Sequence, residues 1–257
     1  MSLERQFRRS GVAIVEHALD PDTDLATMDR AFRRQPRSVV RMPFSDGAES
    51  GRLGSPTLQI GADFADWLET HPALLCLATR LLAAPARLVR IAPAEDVQRE
   101  HWIAPWRQSK TIAVASRHRV TGFRAWVERD GHALVEPPVW VLQQSVILQV
   151  YLDDCRAFDG PLEVLEGSHL DGRLKRVEIA ERARTLRSMT CLCDRSDILA
   201  LSPLAVHRRH RSNGTTRQRV LKLMFSAASL PPPLEWASLT PDIDQAIEIW
   251  QDGSTVD

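Results

Sequence analysis

The spacing of apolar residues divides the chain into an N-terminal part with helical periodicity and a longer part with strand periodicity. Residues 73–82 are apolar on most sides and follow a proline, which predicts a buried helix with Pro72 at its start. Two further helices are predicted over roughly 23–35 and 62–69, and 37–59 reads as loops. From residue 86 onward, short β-branched and apolar runs between turn residues predict strands at 87–91, 111–114, 144–152, 161–165, 197–201, 204–206 and 219–225.

Helices followed by a run of strands predict an α+β, β-rich fold built on a sandwich or barrel. The 257 residues suit one domain, with a helical part over about 1–85, a β core over about 86–226 and a C-terminal tail over 227–257. Neither an internal repeat nor a linker long enough to divide the chain is visible.

The amino-acid composition limits which classes of binding partner are expected. Lys and Arg together number 33 and so do Asp and Glu, so the formal net charge is zero and no bulk field favours nucleic acid or a membrane. Four cysteines are too few and too scattered for a disulfide framework in a chain of this length. The N-terminus lacks an apolar signal core, so a cytoplasmic location is expected.

The segment Pro105-Trp106-Arg107-Gln108-Ser109-Lys110 and the later Ser202-Pro203-Leu204-Ala205-Val206-His207 carry the candidate chemistry. Residues two apart on a strand share a face, so Arg107 and Ser109 should look into the same space. We expect His207, from the second segment, to enter that space as well.

These segments resemble the phytanoyl-CoA dioxygenase family of Fe(II)/2-oxoglutarate oxygenases. The likeness spans roughly 86–226 and includes Tyr151-Leu152-Asp153-Asp154 and Gly160-Pro161-Leu162 through Gly167-Ser168-His169. The resemblance implies a double-stranded β-helix, a jelly roll of two antiparallel sheets, with the N-terminal helices packed on one sheet. It also implies an iron site in which Pro-Trp-His-Gln-Asp supplies a His and an Asp, and a distant His completes the ligand triad.

The chain departs from that pattern at the ligands. Arg107 stands at the His position and Ser109 at the Asp position, which leaves His207. A guanidinium has no lone pair to donate to a metal. Two like unit charges 4 Å apart repel each other by about 4 kcal/mol at an effective dielectric near 20, and a dication would be repelled roughly twice as strongly. The family's oxoglutarate-binding Arg corresponds to Gln218, although Arg217 and Arg219 flank it. We therefore expect no metal site and no cofactor.

Arg107, His207 and Ser109 are the candidate catalytic residues, with Arg107 as an anion anchor or electrophile and His207 as a general acid or base. Each has a structural alternative: Arg107 could pair with a carboxylate such as Glu163, His207 could be a hydrogen-bonded relic, and Ser109 could fill space. His101 and His169 are alternative metal candidates. The basic run 207–213 reads as a solvated loop or as a contact for an anionic substrate tail. Substrate contacts are expected from Trp106, Gln108, Lys110, Gln149, Tyr151, Gln218 and Arg219.

Three functions remain open on the sequence. The first is a metal-independent, redox-neutral enzyme on a small organic or carrier-linked substrate of bacterial specialised metabolism. The second is a non-catalytic binding or partner subunit, in a homo- or hetero-oligomer with an oxygenase relative. The third is a genuine Fe(II)/2-oxoglutarate dioxygenase with unusual ligands.

Overall fold

The computed structural model describes residues 2–33, 67–68, 71–96, 105–129, 132–210 and 218–238. Its helices are α1 (Leu3–Ser10), α2 (Asp24–Arg33), α3 (Ala73–Leu82), α4 (Val139–Gln143) and α5 (Arg176–Thr185), with a 3-10 turn at Ser168–Asp171. Its strands are β1 (Val12–Val15), β2 (Arg87–Asp96), β3 (Ile112–Val114), β4 (Arg124–Arg129), β5 (His132–Glu136), β6 (Ser145–Tyr151), β7 (Leu162–Leu165), β8 (Ser188–Cys191), β9 (Ile198–Leu201), β10 (His207–Arg209) and β11 (Gln218–Ser226). In the described ranges, no helix has the length and apolar character needed to cross a membrane.

Two antiparallel sheets form the body of the protein. The larger has the order β1-β9-β6-β11-β2, and the smaller has the order β10-β7-β8. A backbone bridge between Arg107 and His207 adds the segment around residue 107 to the free edge of β10. Strands adjacent in the sheets are distant in sequence, as in a jelly roll, so the predicted α+β jelly roll is confirmed.

The outer face of the larger sheet binds the N-terminal helices. Val146, Leu148 and Val150 alternate along β6 and join one buried apolar cluster with Leu74 and Leu81 of α3. Every second residue of the strand faces the helices, and the helix turns its apolar face toward the strand, so both contribute to one buried layer. The predicted packing of the helices on one sheet is therefore present.

The inner face of the larger sheet meets the smaller sheet. Tyr151 and Val220, which are opposite each other on β6 and β11, share a buried cluster with Leu162 and Val164 of β7. A third sheet, β3-β5-β4, covers one end of the body and buries Trp236 from the C-terminal segment. The space between the two main sheets is therefore mostly filled, and the functional pocket lies in what remains of it.

Several local predictions differ from the structure. Residues 3–10 form α1, which was not predicted; Ser2 caps its N-terminus and Gly11, at φ +75°, ends it. The expected strand at 204–206 is a turn, and the strand begins at His207. The β4–β5 hairpin and α5 were not predicted. The predicted loops over 37–59 lie outside the described residues, as does most of the predicted helix over 62–69, of which residues 67 and 68 are helical.

Candidate functional site

Arg107 and His207 lie side by side. The Arg107 N–H donates to the His207 carbonyl at 2.9 Å, and the His207 N–H donates to the Arg107 carbonyl at 2.8 Å. Residues that exchange both backbone bonds in this way project their side chains to the same face. Both side chains are buried, and both line one pocket. The structure therefore brings together the two residues that the sequence placed in one space.

The opposite wall of the pocket comes from the larger sheet. Lys222 of β11 is opposite Gln149 of β6, and Val220 is opposite Tyr151. All four line the pocket, because residues two apart on each strand face the smaller sheet. The lining is completed by Leu162 of β7 and by residues of the smaller sheet.

Positive charge dominates this pocket. Three lining side chains are cationic, Arg107, Arg209 and Lys222, and none of the described lining residues is acidic. The free space inside is about 10 Å³, room for about one water molecule. Cations from β10, β11 and the segment around residue 107, gathered around one small space, favour an anionic group of a ligand.

The His207 ring is oriented by its own turn. Nδ1 lies 2.8 Å from the carbonyl oxygen of Ala205, and a carbonyl can only accept, so Nδ1 carries a hydrogen. In the neutral ring, Nε2 is then the nitrogen with the lone pair. A buried imidazole with this tautomer can take or return a proton through Nε2.

Tyr151 adds a hydroxyl to the pocket. Burial raises its pKa, and the neighbouring thiols of Cys193, Cys155 and Cys191 act in the same direction. The phenol is therefore protonated at neutral pH, and its hydroxyl forms a hydrogen bond with the Cys193 thiol.

Gln108 and Lys110 face away from the pocket and hold the chain. The Gln108 amide donates to the carbonyls of Gly172 and Leu204, both at 2.7 Å, and accepts from the Leu174 N–H at 2.9 Å. Lys110 Nζ donates to the Leu174 carbonyl at 2.7 Å. The expected substrate contacts of these two residues are therefore replaced by structural ones.

Trp106 and Ser109 also lie outside the pocket lining. The Arg208 guanidinium stacks over the Trp106 ring, 4.3 Å from its centre, and donates to Glu163 at 2.7 Å. Glu163 is thus a partner of Arg208, which differs from the suggested pairing with Arg107. Ser109 is half-buried and donates its N–H to the Pro203 carbonyl at 2.9 Å. Its expected position on the pocket wall beside Arg107 is not observed.

Arg219 lies on the other face of β11 from the pocket. Its guanidinium binds the Asp153 carboxylate at 2.6 and 2.8 Å, and it also contacts Asp29 of α2. This side chain fastens α2 to the sheet. Gln218, which was expected to contact substrate, instead accepts a hydrogen bond from Arg209.

An iron site of the family's type does not fit the described residues. Of the three positions that the resemblance assigns to metal ligands, only His207 carries an imidazole or a carboxylate, and no group of three or more His, Cys, Asp or Glu in the described part of the chain could hold a metal. The alternative candidate His169 is turned toward the Arg8 carbonyl, 3.2 Å from Nε2, and His101 lies outside the described residues.

Lys222 was not among the candidate residues, and Arg209 was considered only as part of the basic run 207–213. Residues 207–209 form β10 rather than the solvated loop, so Arg209 shares the inward face with His207 and Arg208 points outward. The sequence did indicate where these side chains point, because residues two apart on a strand share a face. Lys222 follows Val220 by two residues, and Arg209 follows His207 by two.

Comparison with known proteins shows which solved structures share the fold of this chain. No protein-family model and no curated protein matches the chain. Among solved structures, AviO1 from Streptomyces viridochromogenes Tue57 is 19% identical with a TM-score of 0.63, covering 90% of this chain and 96% of AviO1. The non-heme alpha ketoglutarate dependent carbocyclase SnoK from nogalamycin biosynthesis is 12% identical with a TM-score of 0.63, covering 96% and 90%. HygX from Streptomyces hygroscopicus, with nickel and 2-oxoglutarate bound, is 15% identical with a TM-score of 0.55, covering 87% and 85%.

The chain therefore has the fold of non-heme alpha ketoglutarate dependent enzymes, and its structural neighbours include two enzymes of nogalamycin biosynthesis, SnoK and the epimerase SnoN. The expectation that no cofactor is involved was wrong. HygX of the same fold holds nickel and 2-oxoglutarate in one structure and iron in another, which points to cofactor use. Of these groups, 2-oxoglutarate carries the negative charge that the cationic lining of the pocket favours.

Proposed function

We propose that the protein is an enzyme that acts on a small molecule, free or carrier-linked, in a bacterial biosynthetic pathway. Its pocket holds a carboxylate group against Arg107, Arg209 and Lys222. The carboxylate belongs either to a 2-oxo acid of the kind that HygX binds or to the substrate itself, since the pocket chemistry is the same for both.

One observation carries this proposal: three cationic side chains, from β10, β11 and the segment around residue 107, meet in one pocket whose described lining holds no acidic residue. We attribute the chain to a divergent branch of the phytanoyl-CoA dioxygenase-like proteins, in which Arg107 and Ser109 replace two ligands of the triad.

The proposed chemistry uses the side chains of this chain. Arg107 presents a planar pair of N–H groups, which suits two-point binding of a carboxylate or of a carbonyl oxygen that gains charge. His207 Nε2 removes or returns a proton next to the anchored group. Tyr151 donates its hydroxyl hydrogen to an oxygen of the ligand. The reaction class that these roles support is proton transfer beside a carboxylate.

Isothermal titration with 2-oxoglutarate and succinate tests the pocket. We expect saturable binding that Arg107→Ala weakens by about tenfold to hundredfold, the usual size for a charge-assisted contact. Arg107→Lys should weaken it nearly as much, because a point charge does not replace a two-pronged donor. Arg208→Ala is the matched control: it removes an adjacent arginine that faces away from the pocket.

Repeating the titration with Fe(II) under anaerobic conditions separates the alternatives. Equal affinity with and without Fe(II) supports a ligand held by side chains. Binding that occurs only with Fe(II) would contradict the proposal and favour a dioxygenase whose ligands include residues outside the described ranges. The carboxylate pocket would be refuted if neither acid bound and if no compound in a thermal-shift panel of carboxylates bound either.

A further inference from the structure

We propose that Cys155 and Cys193 are a reversible redox pair, which closes to a disulfide on oxidation by hydrogen peroxide and thereby changes the hydrogen bonding of Tyr151 in the pocket. The pairing of the two thiols stands on the backbone geometry. Its effect on ligand binding rests on the proposed carboxylate pocket, in which Tyr151 is a donor.

The backbone holds the two cysteines directly opposite each other. The Cys155 N–H donates to the Cys193 carbonyl at 2.7 Å, and the Cys193 N–H donates to the Cys155 carbonyl at 3.2 Å. Residues paired in this way have Cα atoms about 5.5 Å apart and side chains on the same face. The Cα atoms of a disulfide are about 4.4–6.8 Å apart, so this pair lies within its reach.

The other two cysteines are less suitable partners. Cys191 comes two residues before Cys193 and is opposite Leu162 in the smaller sheet, which makes it a diagonal neighbour of Cys155. Diagonal neighbours are about 7–8 Å apart, beyond the usual reach of a disulfide. Cys76 is exposed on α3, whereas the other three cysteines are buried in one cluster.

The geometry also favours reopening of the bridge. At positions that exchange backbone hydrogen bonds, opposite Cβ atoms lie near the upper end of about 4.5–5.5 Å, whereas a disulfide needs about 3.5–4.5 Å. Closing the bond therefore strains the pair, and a strained disulfide is reduced more readily. The contact is an isolated bridge outside the named strands, so the flanking residues can shift to let the sulfurs meet.

The oxidation balances with peroxide as the oxidant. One thiol loses its proton, its sulfur attacks an oxygen of peroxide, and the O–O bond breaks to give a sulfenic acid and water. The second thiol then attacks that sulfur, so that the S–S bond forms, the S–O bond breaks and the oxygen leaves as water with the second proton. Burial raises the pKa of both thiols, so the reaction should be slow at neutral pH and faster in alkali.

Tyr151 connects the cysteine pair to the pocket. Its hydroxyl is hydrogen-bonded to Cys193, and its side chain lines the pocket. A disulfide sulfur has no hydrogen to donate and is drawn toward its partner sulfur, so oxidation weakens this hydrogen bond. The hydroxyl hydrogen is then available to an oxygen of a ligand, and the oxidised protein should bind a carboxylate more tightly.

Peroxide treatment, followed by thiol counting and mass mapping of peptides, tests the pair in a Cys76→Ser background that removes the exposed thiol. We expect the loss of two thiols, a cross-link between Cys155 and Cys193 that forms faster at pH 8.5 than at pH 7, and its reversal by dithiothreitol. Cys191→Ala is the matched control, a buried thiol of the same cluster, and should still cross-link. A cross-link through Cys191, or none in protein shown to be folded by its thermal melt, would overturn the proposal.

Calorimetry with 2-oxoglutarate then compares the reduced and oxidised protein. The oxidised form should bind about twofold to tenfold more tightly, the worth of one hydrogen bond, and Tyr151→Phe should remove that difference. The chain has one tyrosine, so a shift of the tyrosine band in the near-ultraviolet difference spectrum reports on the coupling without a ligand. Equal affinity in the two states would overturn the coupling. No binding in either state would refute the carboxylate pocket, and the cross-link and the tyrosine band would then decide the redox pair by themselves.

Discussion

Gln108→Leu removes a buried amide that joins three parts of the backbone. The Gln108 side chain is 2% exposed and bonds Gly172, Leu204 and Leu174 at 2.7, 2.7 and 2.9 Å. Leucine is close in size but neither donates nor accepts. The variant thus leaves one buried N–H and two carbonyls without the partner that the amide supplied.

The expected loss follows from these three groups. A buried polar group left without its partner costs about 1–3 kcal/mol, and the apolar leucine side chain regains part of that by staying buried. We expect the free energy of unfolding to fall by about 3 kcal/mol. For a chain of this size each kcal/mol lowers the unfolding midpoint by about 2–4 °C, so the midpoint should drop by roughly 6–12 °C.

Urea unfolding with linear extrapolation measures this loss, and a thermal melt checks it. Gln143→Leu is the matched control, because Gln143 is an exposed glutamine at the end of α4, and it should stay within about 0.5 kcal/mol of the wild type. A loss below about 1 kcal/mol for Gln108→Leu would refute the structural role. It would also return Gln108 to the group of possible ligand contacts.

Two further predictions concern stability. Burial acts to raise the pKa of Glu163, but hydrogen bonds, one of them from Arg208, outweigh burial and hold the pKa below its usual value. The contribution of Glu163 to stability is therefore present at neutral pH and is lost as pH falls through the folded-state pKa. Urea titrations from pH 7 to 3.5 should show Glu163→Gln less stable than the wild type at pH 7, with a gap that closes at the acid end; a constant gap would contradict this. Gly11→Ala and Gly167→Ala both force a positive φ, but only at Gly11 would the new Cβ lie 2.6 Å from His169 Nδ1. Gly11→Ala should therefore lose more stability, by about 1 kcal/mol or more, and equal losses would show that the imidazole moves aside.

The jelly roll could be predicted because its signals are local and occur in order. The β6 pattern is continuous and β-branched, and the motif that carries Arg107 precedes the turn and the His207 segment at the spacing that the resemblance implies. A backbone bridge at the edge of the smaller sheet then places Arg107 and His207 beside each other, whatever residues occupy those positions. The roles of these residues in catalysis remain our proposal.

The residues that the sequence reading missed are those for which local pattern and tertiary position disagree. The apolar residues 204–206 read as a strand but form the turn before β10, which shifted Arg209 into an expected loop. Lys222 interrupts the apolar alternation of β11 and reads as a surface residue, although it faces the pocket. The partners of Gln108 are 64 to 96 residues away along the chain, so no nearby residue indicates that its amide is structural.

The fold explains how a pocket can keep its position in the structure while the charge of the ligand that it favours changes. Backbone pairing alone sets which residues face the pocket, so Arg107 occupies its position by the same two hydrogen bonds that any residue there would make with His207. An imidazole and a carboxylate at positions 107 and 109 would favour a metal dication, whereas a guanidinium at 107 repels it by several kcal/mol. The same field attracts an anion, and Lys222 and Arg209 strengthen it from the facing sheet and the neighbouring strand position. On our proposal, the charge of the residue at position 107, with Arg209 and Lys222 also lining the pocket, therefore decides whether the pocket suits a cation or a carboxylate.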